Sequence, residues 1–230
     1  MIAGDSRLSL RGGRRWVAAV AVALVACVGC ASIQRTPVPI ETARRSAPGA
    51  TMTVEGFVTV PPGLFASFTG DQGFAVEDAT GGIYIALSDA FTAALGQGVL
   101  VTGRRTDIAG LITLASSAGL IGPTSQERVV QPMRVKTGAV GPATEGRLVE
   151  IRGTITRPLA DDRPYGFKIA VDDGSGETQV FIPVSTGIDP HVDPVLRAGQ
   201  GVTVVGFSGR YEETQEVVPR FRRDLSVPAP

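Results

Sequence analysis

Beyond residue 50 the apolar residues of this chain fall in short runs that alternate with polar ones at a period of two, each run closed by Gly, Asp or Pro. Runs of this kind, rich in Val, Ile, Thr and aromatics, predict strands joined by turns. Five are expected first, near 52–60 ("MTVEGFVTV"), 73–78 ("GFAVED"), 82–88 ("GIYIALS"), 98–106 and 111–118. "DATGG" between the second and third is a tight hairpin connection, because Gly81 and Gly82 tolerate positive φ. "SDAFTAAL" at 88–95 is the one helix-like piece: Ser88 or Asp89 can cap it, and Phe91, Ala94 and Leu95 recur at helical spacing.

The same order returns, with strands near 147–157, 165–173, 178–184, 201–211 and 215–222. "LGQGVLVTG" at 95–103 and "AGQGVTVVG" at 198–206 match at an offset of 103 residues, and "VEDATGG" at 76–82 matches "VDDGSGE" at 171–177 at an offset of 95. The difference of eight residues lies between the third and fourth strands, in the insertion "IDPHVDPVLRA", where Pro190 and Pro194 oppose a regular helix. Each GQG phrase reads as a turn feeding a fourth strand, with Val99/Val101 and Val202/Val204 on one face. A five-stranded unit with a helix after strand three resembles the OB-fold, and the copies are similar to the OB-type domains of exported bacterial proteins. The predicted fold is therefore all-β: two tandem five-stranded OB-fold-like barrels at 51–122 and 145–226, joined by a linker at 123–144. A barrel of this size has a core worth only roughly 3–5 kcal/mol, so the copies are expected to pack together.

The first 30 residues have another pattern. Arg7, Arg11, Arg14 and Arg15 precede the apolar "WVAAVAVALVA", whose 11 residues are too few for a membrane span but suit a secretory signal peptide. It ends in Leu24, Val25, Ala26 and Cys27, which resembles the lipobox of bacterial lipoproteins. That resemblance implies cleavage after residue 26 and a diacylglycerol on Cys27; Cys30 is the second candidate, with a poorer preceding motif. Residues 27–50, including the Pro-rich "RTPVPIETARRSAPGA", then read as a flexible tether to a bacterial envelope membrane. No cysteine follows Cys30, so an exported domain has no disulfide framework and no thiol chemistry. Removing residues 1–26, with four Arg and one Asp, leaves 18 basic and 21 acidic residues, which lacks the global field of a general nucleic-acid binder.

Candidate chemistry is sparse. The one histidine, His191, lies between Asp189 and Asp193, and this alternation on an extended loop reads as a solvated insertion rather than a metal site. Asp172, Asp173 and Glu177 crowd a turn without the acidic spacing of a calcium loop. No catalytic set and no cofactor are expected. OB barrels bind on the outer face of strands two and three, flanked by the loops joining strands one–two and four–five. Alternation puts Phe74, Val76, Ile85 and Leu87 inside the first copy and Phe167, Ile169, Val171, Val180 and Ile182 inside the second. The outward sets are Glu77, Tyr84 and Ala86 against Lys168, Gln179 and Phe181. With these rings, Lys168, Arg210, Tyr211 and the strip Arg220, Phe221, Arg222 and Arg223 form the candidate ligand surface. Leu64, Phe65 and Phe68 sit in a loop that is usually polar, and either cap a barrel or contact a partner. The expected function is a non-catalytic, lipid-anchored binding or adaptor module contacting an envelope protein. The alternative is oligonucleotide binding through the second copy.

Overall fold

Every strand of the predicted barrels forms within a few residues of its expected bounds in the computed structural model, which describes residues 36–192 and 194–227. Cys27, Cys30, the lipobox and Asp193 lie outside the described residues. Strands β1 (Thr51–Val60), β2 (Phe74–Glu77), β3 (Gly82–Leu87), β4 (Gln97–Ile108) and β5 (Leu111–Ser116) make the first barrel. β1 pairs antiparallel with both β2 and β4 while β3 runs parallel to β5, so the ring β1-β2-β3-β5-β4 closes on itself. β6 (Ile121–Glu127) adds to β4. β7 (Met133–Arg134) runs parallel to β8 (Leu148–Ile155), the first strand of the second barrel. β9 (Ala160–Asp162) flanks β10 (Gly166–Asp172); β11 (Thr178–Pro183), β12 (Gly201–Tyr211) and β13 (Thr214–Val218) complete the second ring, and β14 (Leu225–Ser226) adds to β12. Its closure repeats the first, β12 pairing with β8 and β11 running parallel to β13. The fold is all-β with two OB-type barrels, as the repeated pattern predicts.

Each barrel has its own core of inward residues. Phe74, Val76, Ile85 and Leu87 are at most 1% exposed, and Phe167, Ile169, Val171, Val180 and Ile182 at most 5%. The repeated GQG phrase has one physical job in both copies. Gly96 and Gly199 take φ of +81° and +85°, a conformation that strains any side-chain-bearing residue. The following glutamine then folds back: Gln97 Oε1 accepts the Ala94 N–H at 2.9 Å, and Gln200 Oε1 accepts the Arg197 N–H at 2.7 Å. The turn is thus held by its own side chain before the fourth strand begins.

Three expectations are corrected. Residues 88–95 form an irregular loop instead of a helix. Its apolar residues serve the core from an irregular backbone, Phe91 packing on Phe74 at 5.4 Å and Ala93 being buried. Residues 36–50, assigned to a tether, are seated on the first barrel through helix α1 (Ile40–Arg45). Ile40 and Ala43, one turn apart, are fully buried, and the Ile40 N–H donates to Asp78 Oδ2 at 2.8 Å. The expected linker 123–144 likewise contributes β6 and β7 to the two sheets.

The barrels belong to one compact unit, and polar contacts join them. Arg44 pairs with Glu145 at 2.9 Å, Arg147 donates to Thr80 O at 2.6 Å, and the Leu148 N–H donates to Glu77 Oε1. Glu77, expected on an open face, is thereby held at the junction, and burial pushes its carboxyl up to about 7.

Candidate binding groove on the second barrel

The outer faces of the two copies have opposite fates. At the 95-residue offset Gly73, Ala75, Tyr84 and Ala86 correspond to Lys168, Ala170, Gln179 and Phe181; at the 103-residue offset Thr113 corresponds to Glu216. In the first copy this face is covered. Tyr84 is 1% exposed and Ala75 fully buried, in a cluster that holds Val60, Phe65 and Leu111 against Phe181, Phe207 and Val218 of the second barrel. Tyr84 lies across Gly73, where a Cβ would meet its hydroxyl oxygen at 2.5 Å, and its O–H donates to Asp71 Oδ1 at 2.7 Å. Its expected exposure is corrected for a simple reason: the partner for this ring is the other copy.

The apolar loop between β1 and β2 completes the junction. It contains the short helix α2 (Ala66–Thr69). Phe65 is fully buried, 6.1 Å from Phe207 and 6.3 Å from Phe68, while Phe68 reaches Phe181 at 5.3 Å. Ser67 and Ser185 fasten the loop to the second barrel by reciprocal bonds, Ser185 Oγ also donating to Leu64 O at 2.8 Å. Leu64, Phe65 and Phe68 therefore contact the second barrel within the chain. Phe181, expected outward, is 4% exposed for the same reason.

In the second copy the corresponding face is open beyond Phe181. A groove of about 490 Å³ lies over β10, β11 and β13, lined by Lys168, Gln179, Phe181 and Glu216 with Tyr165, Asp162, Phe68, Tyr211, Glu212 and Thr214 at its walls. Tyr165 and Tyr211 are 59% and 51% exposed, Tyr165 in the turn just before β10 and Tyr211 at the end of β12. A second depression of about 540 Å³ continues past Lys168 and Gln179 toward Arg157 and Glu177.

The electrostatics of the floor are unusual. Glu216 is 1% exposed; one of its oxygens accepts the Gln179 Nε2–H at 2.7 Å, and the other, Oε1, is buried without a partner. Burial pushes its carboxyl from 4.5 up to about 7, although Gln179 and the charge of Lys168 act to lower it. Lys168 pairs with Asp162 at 2.8 Å and lies 5.8 Å from the Phe181 ring centre.

The rest of the predicted ligand surface is dispersed. Arg210 donates to Glu212 O at 2.6 Å and Glu213 Oε2 at 3.0 Å, beside Tyr211. Arg220, expected in a basic strip, is 6% exposed and structural: its guanidinium grips both oxygens of Asp224 at 2.9 and 3.1 Å and donates to Thr59 O at 2.8 Å. Arg223 stacks on Phe221 at 4.3 Å, and Arg222 donates to Leu225 O at 2.7 Å. None of residues 220–223 lines the groove. The turn carboxylates serve the backbone. Asp172 Oδ1 accepts Gly174 N–H at 2.7 Å, and Asp173, held down to about 2 by bonds from Ser175 and Thr137, accepts from both. His191 packs edge-on against Phe167 at 5.5 Å, and among the described residues no cluster is arranged to hold a metal ion. Sequence reasoning missed Tyr165, Asp162, Glu212 and Glu216. The signal available for Glu216 was a lone acid within a strand that also carries Val217 and Val218.

Fold and site together define a tandem OB-type barrel protein in which the first copy's outer face is an internal interface and the second copy's is covered at Phe181 but open over Lys168 and Gln179. No family model matches the chain, and no curated protein is similar to it. Among solved structures, the crystal structure of the tetrameric p202 HIN2 is similar at 11% identity, covering 80% of this chain and 96% of that one, with a TM-score of 0.40.

Proposed function

We propose that this protein is a non-catalytic binding module of the cell envelope, held to a membrane by a lipid on Cys27, that engages a protein partner through the groove on its second barrel. The observation that carries the reading is the pair of exposed tyrosines, Tyr165 and Tyr211, flanking an open face whose counterpart in the first copy is covered. Tyrosines at such positions supply rigid contact area at low entropic cost and dominate many interfaces. The groove's carboxylates, Asp162, Glu212 and Glu216 against Lys168, disfavour a phosphate backbone. Capture from native envelopes with the wild-type chain and with a Tyr165→Ala/Tyr211→Ala variant tests this. The variant should keep its melting temperature, since exposed positions usually matter by less than about 0.5 kcal/mol, and lose the protein that the wild type retains. Equal retention by both, or retention of oligonucleotide instead, would refute the protein-partner reading. The anchor is tested separately. Intact mass of the mature chain should include a diacylglycerol, and Cys27→Ala should leave an uncleaved, unlipidated precursor; an unmodified mature chain would disprove lipidation.

A further inference from the structure

Resting on the reading of the second barrel's open face as the binding surface, we propose that the groove selects a cationic side chain, an arginine or lysine presented by a basic peptide segment, that inserts between Tyr165 and Tyr211 and pairs with Glu216. Four observations converge. Glu216 belongs to the floor, and its buried oxygen Oε1 has no partner within the chain, so its charge is only partly compensated and draws a cation that enters the groove. The aromatic rings of Phe68, Tyr165, Phe181 and Tyr211 line the same space, and ring faces attract cations. Asp162 and Glu212 add negative charge at the walls, while Lys168, the one cationic residue of the lining, is engaged by Asp162. Finally, Lys168 Nζ lies near the Phe181 ring, so the protein's own ammonium already occupies part of the environment that an incoming cation would use.

The first copy differs at the matching positions. Where the second copy has Gln179 and Glu216 facing each other across β11 and β13, the first has Tyr84 and Thr113 across β3 and β5, and that face is closed. At this matched pair of positions the open face has an acid and the closed face a threonine. The raised titration of Glu216 agrees with a carboxylate awaiting a counter-charge: Lys168 from β10 lowers it, Asp162 from β9 raises it, Gln179 from β11 lowers it, and burial outweighs them all.

The test is fluorescence anisotropy on the full chain with three labelled probes: an Arg/Gly heptapeptide, its citrulline counterpart of equal shape without charge, and an oligothymidine. The arginine peptide should bind about tenfold or more tightly than the citrulline peptide. Glu216→Gln should reduce that binding at least about tenfold, and Lys168→Met should strengthen it, because a competing cation is removed. Affinity should also rise between about pH 6 and about pH 8 as Glu216 loses its proton. Equal binding of the two peptides, or no effect of Glu216→Gln in a folded variant, would overturn the proposal. So would preferential binding of the oligothymidine that weakens in Lys168→Met, the sign opposite to the one expected. Partner capture that depends on the tyrosines while the arginine peptide fails to bind would refute the cation specificity and leave the binding face intact.

Discussion

Truncating Phe65 to Ala is expected to destabilise the protein by about 3–5 kcal/mol, the usual loss for a fully buried phenylalanine. Phe65 is fully buried where the barrels meet, against Phe207 and Phe68, so the cavity opens between two bodies and not within one. Such a junction is poorly placed to collapse, because each side is fixed by its own closed ring of strands. For a chain of this size each 1 kcal/mol shifts the melting temperature by about 2–4 °C, and urea unfolding reads the loss directly. The variant should also bind its ligand less well. Phe65 O accepts the N–H groups of Phe68 and Thr69 at 2.8 and 2.9 Å, so the buried ring anchors the turn that carries Phe68 to the groove wall. Phe68→Ala should be milder in stability, as that ring is only half-buried, and comparably harmful to binding. A loss below about 1 kcal/mol in Phe65→Ala would mean that the barrels do not share this core.

Alternation was enough to place both barrels because a closed ring of short strands needs every second residue inside, and those positions are Val, Ile, Leu and Phe in both copies. The repeat confirmed the pattern internally: two segments with the same glycine and glutamine make the same turn. What alternation cannot report is the environment outside a barrel. Tyr84 and Phe181 both occupy outward positions, yet both are buried, because the outward face of one copy is the floor on which the other rests. The apolar loop carrying Leu64, Phe65 and Phe68 was the visible sign that something covers this region. The covering body lies more than a hundred residues further along the chain, beyond the reach of any local pattern. Arg220 was misread for a related reason. Its neighbours make it look like one of a basic set, whereas Asp224 one turn on removes it from solvent by a bidentate pair. Helix α1 escaped because two apolar residues one turn apart, Ile40 and Ala43, are too few to stand out from a Pro-rich surround.

Replacing Glu216 by Gln is expected to make the protein more stable, and only at neutral to alkaline pH. The carboxyl is raised by burial from 4.5 to about 7 in the folded state. A raised folded value means that the native state holds its proton more tightly than the unfolded chain does. The resulting stabilisation is complete below the unfolded value and is lost as pH rises through the folded one. Above about pH 7 the native state carries an incompletely compensated buried charge, at a cost on the order of 3 kcal/mol for a shift of this size. The amide of Gln has no proton to lose and can still accept the Gln179 N–H through its carbonyl oxygen. At about pH 8 the variant should therefore melt about 5–10 °C above wild type, and near pH 5 the two should nearly coincide. Glu77, raised to about 7 by the same cause, keeps part of the wild-type pH dependence in the variant. Melting curves at the two pH values decide the matter, and a variant less stable than wild type at pH 8 would show that Glu216 is held by partners rather than exposed to a cost. A residue that destabilises the fold at the pH where it is charged is best understood as serving a ligand. The added arginine peptide should accordingly raise the wild-type melting temperature most at alkaline pH and leave the Gln variant unmoved. The same side chain then sets opposite signs for stability and for binding, which a merely structural acid would not do.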